Sequence, residues 1–140
     1  MRAALGERFA RQHLWYVESA IAQCAEADWR GGLAMWAEAS VGFYLDSLQF
    51  HDVLFYENRS PPREGLVDNI VIDHLGEMLQ AGAEAGAWTV EDSRLTAVFL
   101  FSGFHGAIDD AAIPRTPIDR GELARRLQRL CARAVGSALE

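Results

Sequence analysis

The run Arg94-Leu-Thr-Ala-Val-Phe-Leu-Phe-Ser-Gly-Phe-His-Gly106 constrains the fold of this chain more than any other segment. Its apolar residues fall on most sides of a helix instead of forming one stripe, and a helix of that kind has to be covered on most sides. In a chain of 140 residues, the cover the sequence points to is a second copy of the protein. Just upstream, Leu79-Gln-Ala-Gly-Ala-Glu-Ala-Gly-Ala-Trp-Thr-Val-Glu-Asp92 reads as a helix stopping at glycine, a short extended joint, and an acidic cap. Either Asp92 or Ser93 can open the apolar helix.

The rest of the chain follows helical periodicity, and β-branched alternation is too scarce for a sheet. Leu14, Val17, Ile21 and Cys24 mark a helix within 3–24, and Asp28 can cap the next one. That helix runs from Trp29 to about Leu48, with Leu33, Trp36, Ser40, Phe43 and Tyr44 on one stripe. A short helix is expected at 51–58. Tandem prolines in Asn58-Arg-Ser-Pro-Pro-Arg-Glu-Gly65 forbid helix there. A helix over 66–85 carries Val67, Val71, Leu75, Met78 and Gly82 on one face, with Gly86 as its stop. The last two are predicted at 92–112 and 119–138, the latter opened by Asp119 and Glu122 at capping-box spacing. The prediction is an all-α, six-helix, single domain over 1–140.

Composition narrows the function. The formal charge is −7, and all 13 basic residues are arginines. An acidic domain offers no electrostatic footprint to a phosphate backbone. The arginines of the last helix (120, 125, 126, 129 and 133) read as a solvated outer face opposite Leu123, Leu127 and Leu130. Cys24 and Cys131 are far apart in helical patterns, as suits free thiols in a reducing cytoplasm. Residues 1–12 lack the apolar core of a signal peptide, and no run reaches the roughly 18 apolar residues of a membrane span.

Several segments, in order, resemble the regulatory domain of tetracycline-repressor (TetR) family transcription factors. Ala27-Asp-Trp-Arg-Gly-Gly-Leu33 is similar to the turn and start of that domain's second helix. The short helix at 51–58, a loop and a long helix resemble its triangular middle. Leu79 to Asp92 resembles the glycine-bearing joint, and the final two helices resemble the pair that forms a four-helix dimer interface. The resemblance implies an effector-binding and dimerisation domain with a small-molecule ligand held between helices. Family members also carry an N-terminal helix-turn-helix, and no such motif is found in these 140 residues. This chain as given is therefore expected not to bind nucleic acid.

The candidate ligand site is a set of aromatic and polar residues on inward stripes: Tyr16, Trp36, Ser40, Tyr44, His51, Phe55, Asn69, Asp73 and Ser102. An apolar cavity with a few convergent polar groups is what a small-molecule site looks like. It would favour a hydrophobic or planar ligand, and Asp73, if inside, a cationic or hydroxyl-bearing one. The candidate dimer interface is Phe101, Phe104 and Ile108 on one helix with Leu127, Leu130 and Ala134 on the other.

Chemistry is harder to find. His51 and His74 each adjoin an aspartate, and His105 and Asp109 share a helix face. No third and fourth ligands accompany them at metal-site spacing, and no nucleophile motif is present. The sequence calls for no cofactor, no metal and no catalytic residue. Two rival functions remain: a small helical enzyme built on Asp73, His74, His105 and Asp109, and a structural module that only dimerises.

Overall fold

A computed structural model describes residues 2–57, 69–112 and 119–136, with side chains over 7–47 and throughout the two later spans. The described residues form five helices and no strand: α1 (Arg2–Ile21), α2 (Trp29–Glu57), α3 (Ile70–Glu84), α4 (Ser93–Ala112) and α5 (Arg120–Ala134). The all-helical expectation holds, but the count of six is not matched. The helices expected at 29–48 and 51–58 are one unbroken helix of 29 residues. No proline or glycine lies between Tyr44 and Glu57, so no residue there stops a helix.

The starts of α2, α3, α4 and α5 each have a side-chain cap. Asp28 accepts from the Gly31 N–H at 3.0 Å, and Asp92, rather than Ser93, accepts from Leu95 at 2.9 Å. Asp119 accepts from Glu122 at 3.1 Å. The reciprocal half of that capping box is not made, because the Glu122 carboxylate turns to Arg125 and Arg126 at 3.0 and 2.9 Å. Those two guanidiniums hold its carboxyl below the ordinary range.

The joint after α3 folds back onto it. Gly86 takes φ +81°, the left-handed conformation that ends many helices. Trp88 then lies over Gly82, and its indole N–H donates to the Leu79 carbonyl at 2.8 Å. Further on, the Thr89 N–H donates to the Val135 carbonyl at 3.1 Å, so the end of α5 lies beside the joint that leads into α4.

α2 is the central element, packing against α1, α4 and α5, while α3 packs against α1 and α4. α5 runs antiparallel to α2: Gln128 donates to the Ala34 carbonyl at 2.9 Å, and Arg120 pairs with Asp46 at 2.7 Å. Among the described residues, the backbone packing of α5 is thus along α2, not along α4 as a paired last-two-helix face would require. The core is a continuous apolar cluster including Val17, Trp36, Val41, Ile72, Leu75, Leu79, Ile108 and Val135, all with 1% exposure or less. Among the described residues, no helix is long and apolar enough to cross a membrane.

Candidate functional site

Three of the predicted ligand residues, Trp36, Ser40 and Tyr44, do converge. They stand one turn apart on α2 and are buried, facing α1 and α4. α1 meets them with His13, whose Nε2 lies 2.8 Å from Ser40 Oγ in a buried hydrogen bond. The His13 ring stacks on Phe43 at 5.0 Å and meets the Tyr44 ring edge-on at 5.0 Å. From α4, Phe104 packs on Trp36 at 4.9 Å, and His105 meets Tyr44 edge-on at 4.3 Å.

The electrostatics of this nest follow from burial. Loss of water, with a smaller contribution from the nearby His105, holds His13 down to about 3 against an ordinary 6.5. His13 is therefore a neutral imidazole at physiological pH. Burial likewise pushes the Tyr44 phenol well above its ordinary range, and the Asp109 carboxylate adds to the shift. Tyr44 keeps its proton and can donate. Its hydroxyl and the Trp36 indole N–H are both buried with no hydrogen-bond partner among the described residues. A buried polar group without a partner costs on the order of 1–3 kcal/mol, so two in one cluster call for an explanation.

The other predicted ligand residues lie elsewhere. Asp73 is on the surface, in an exposed ion pair with Arg94 at 2.8 Å, so it lines no interior cavity. Asn69 is the N-cap of α3, its side-chain oxygen accepting from Val71 and Ile72 at 2.8 and 3.2 Å. Ser102 faces solvent. Tyr16, 40% exposed, sits at the rim, against Phe43 at 5.1 Å. The side chains of His51 and Phe55 lie outside the described residues. Replacing Asn69 by alanine should cost about 1 kcal/mol through loss of the cap. Urea denaturation checks this, and an unchanged midpoint would contradict the capping role.

The interface residues also need correction. Phe101, Phe104, Ile108 and Leu127 are buried in the chain's own core, because α4 packs against α2 and α3 and α5 lies on α2. Leu130 and Ala134 are exposed. The uncovered apolar residues of the last two helices are Leu95 (65% exposed), Phe99 (68%) and Leu130 (57%). Ser102, Gly103 and Gly106 extend the same exposed side of α4. Helix periodicity places Phe99 one turn from Leu95 and from Gly103, which is how this stripe could have been separated from the buried one.

Open depressions on the described surface include two between helices. Asp73, Gly76, Gln80, Ser93 and Arg94 help to line one; Ile21, Cys24, Asp28, Trp29 and His74 help to line the other. Neither is lined by Trp36, Ser40 or Tyr44. Among the described residues, no three His, Cys, Asp or Glu side chains are grouped as a metal would need. Burial pushes the Cys131 thiol up to about 12, which makes it a poor nucleophile.

The arrangement defines a class no finer than an all-helical domain with a polar-aromatic interior. No protein-family model matches the chain, and no curated protein matches it. A solved structure described as a protein with unknown function from Rhodococcus sp. RHA1 is similar in fold. Its TM-score is 0.74 at 22% identity, covering 96% of this chain and 71% of that one. The likeness is one of fold.

Proposed function

We propose that this chain is an effector-binding and dimerisation domain resembling those of TetR-like transcriptional regulators, with a small hydrophobic or aromatic molecule as its effector. Its work is to bind the effector more tightly in one of its own two conformations than in the other, not chemistry. The observation that carries the reading is the uncovered apolar stripe of Leu95 and Phe99 on α4, with Leu130 on α5 at the same end of the molecule. Large side chains beside Gly103 and Gly106 suit close helix approach. A second copy brings the same stripe, so a two-fold interface is self-complementary. Such an interface should bury on the order of 2,000 Å² or more.

Light scattering should give twice the chain mass of 15.5 kDa. Phe99→Glu should yield folded monomers, whereas Phe104→Glu should unfold the chain, since Phe104 belongs to the core. A stable monomer at micromolar concentration would contradict dimerisation through this stripe. A structural module that binds nothing small has one observation in its favour: the rings around Trp36 and Tyr44 are packed on their neighbours, and neither of the two depressions described above reaches them. A broad library of hydrophobic compounds that shifts neither melting temperature nor tryptophan emission would decide for that module. The enzyme reading gains nothing from the geometry, because Asp73 is paired on the surface and His105 lies against Tyr44 and Phe101.

A further inference from the structure

We infer that the effector's seat is the cleft between the α1–α2 turn and α3, and that it takes an organic cation, a protonated amine on an apolar, ring-bearing body. The inference rests on the effector-binding reading above and specifies its ligand. The cleft has a volume of about 540 Å³, with walls from the end of α1, the turn, the start of α2, and α3. Part of that wall is apolar. Ile21 of α1 and Met78 of α3 meet over Gly32 of α2, each with an atom 3.8 Å from where a Cβ on that glycine would stand. The half-buried Trp29 adds an indole ring. An apolar cleft of this size with a few polar groups suits a small molecule.

The polar groups set the sign of its charge. Glu26, Asp28 and Glu77 line the same cleft, no arginine does, and the chain has no lysine. α1 ends at Ile21, so the partial negative charge of a helix C-terminus adds to theirs. The positive end of α2 is already answered, since Asp28 accepts from the Gly31 N–H. An anion would meet three carboxylates and no countercharge. A metal ion fits no better, because among the described residues these carboxylates, Cys24 and His74 are not grouped as an ion needs. An organic cation has the reach to lie on apolar wall and between spread carboxylates at once, and an ammonium is attracted to an indole face. His74 adds a further demand. It lines the cleft, and its Nδ1 is buried with no hydrogen-bond partner among the described residues. In the Nε2–H tautomer that nitrogen can only accept. A primary or secondary ammonium brings the N–H it lacks; a quaternary one does not.

The test compares 4-phenylbutylamine, charged at neutral pH, with 4-phenylbutanol, 5-phenylvalerate and butylamine, which remove the charge, invert it, or remove the ring. By calorimetry the unaltered chain should bind the amine about tenfold more tightly than the alcohol or butylamine, with the carboxylate weakest. Glu26→Gln and Glu77→Gln, both at exposed positions, should each weaken the amine about fivefold and leave the alcohol unchanged. The trimethylammonium form of the amine should bind about threefold more weakly than the amine. Cys24 supplies an independent readout. It lines the cleft, whereas Cys131 is buried with its thiol pushed up to about 12, so iodoacetamide reports on Cys24. Saturating amine should slow that alkylation about fivefold. This protection carries the test in the unaltered chain if a variant fails to fold. Equal binding of amine and alcohol, tightest binding of the carboxylate, butylamine as tight as its phenyl derivative, or undiminished Cys24 alkylation at saturation would each overturn the proposal. A trimethylammonium form as tight as the amine would overturn the demand placed on His74. An amine preference that survives both glutamate variants would overturn this seat and leave effector binding standing. Failure of all four probes, with a broad hydrophobic library still raising the melting temperature, would overturn this ligand class alone. Failure of the library as well would remove the effector reading with it.

Discussion

Replacing Gly82 by alanine should destabilise the fold by about 3 kcal/mol, although the same change in an exposed helix would gain about 1 kcal/mol. The reversal comes from Trp88. A Cβ on Gly82 would run into the Cζ2 and Cε2 atoms of the indole, which lie directly over the glycine. The ring cannot shift freely, since it is 5% exposed and its N–H is committed to the Leu79 carbonyl at 2.8 Å. Pushing it out loses both the packing and a buried hydrogen bond. Chemical denaturation gives the stability change, and near-ultraviolet circular dichroism reports the ring's displacement. A neutral or stabilising effect would mean that Trp88 is not seated on α3.

Acid should weaken the fold through His13 before the bulk of the carboxylates titrate. The folded protein holds this imidazole at about 3, while the unfolded chain takes up its proton below the ordinary 6.5. The unfolded state then binds more protons, so stability is unaffected by this group above about pH 7 and falls as pH drops below 6.5. The fall levels off only below about 3. Between pH 7 and pH 5 the loss is about 2 kcal/mol. The groups facing His13 are Ser40 and Tyr44 from α2 and His105 from α4, with Asp109 acting on Tyr44. His13→Gln removes the titration and should flatten that limb by the same amount. Denaturant midpoints that fall in parallel for the two proteins between pH 7 and 5 would refute the assignment.

The helices were legible in the sequence because their ends are written in local chemistry: Asp28, Asp92 and Asp119 as caps, Gly86 as a stop. The break expected between Leu48 and His51 does not exist, because nothing there prevents α2 from continuing. The site was half legible. The spacing of Trp36, Ser40 and Tyr44 put them on one face, and that face is inside. Asp73 and Asn69 shared a similar spacing on α3, but spacing cannot tell an inward stripe from a cap and an ion pair at a helix start. His13 carries no signal of its own, because a single histidine among apolar residues announces nothing until its neighbours are known. On α4, hydrophobicity all round hid the distinction between Phe104, which faces the chain's own core, and Phe99, which faces out. Which side of an apolar helix meets which partner is decided by tertiary contacts and leaves no mark in composition.

The unbroken length of α2 has a mechanical consequence. At 29 residues it is a beam of about 43 Å. α5 is bolted to it twice, by Gln128 at Ala34 and by Arg120 at Asp46, about 18 Å apart along the axis. Trp36, Ser40 and Tyr44 lie between the bolts. A rigid rod fastened at two points cannot roll under its load without dragging the attached element through the same arc. A displacement of α2 as a whole would therefore act on α5, and on Leu130 with it, through these two contacts and without a hinge within α2.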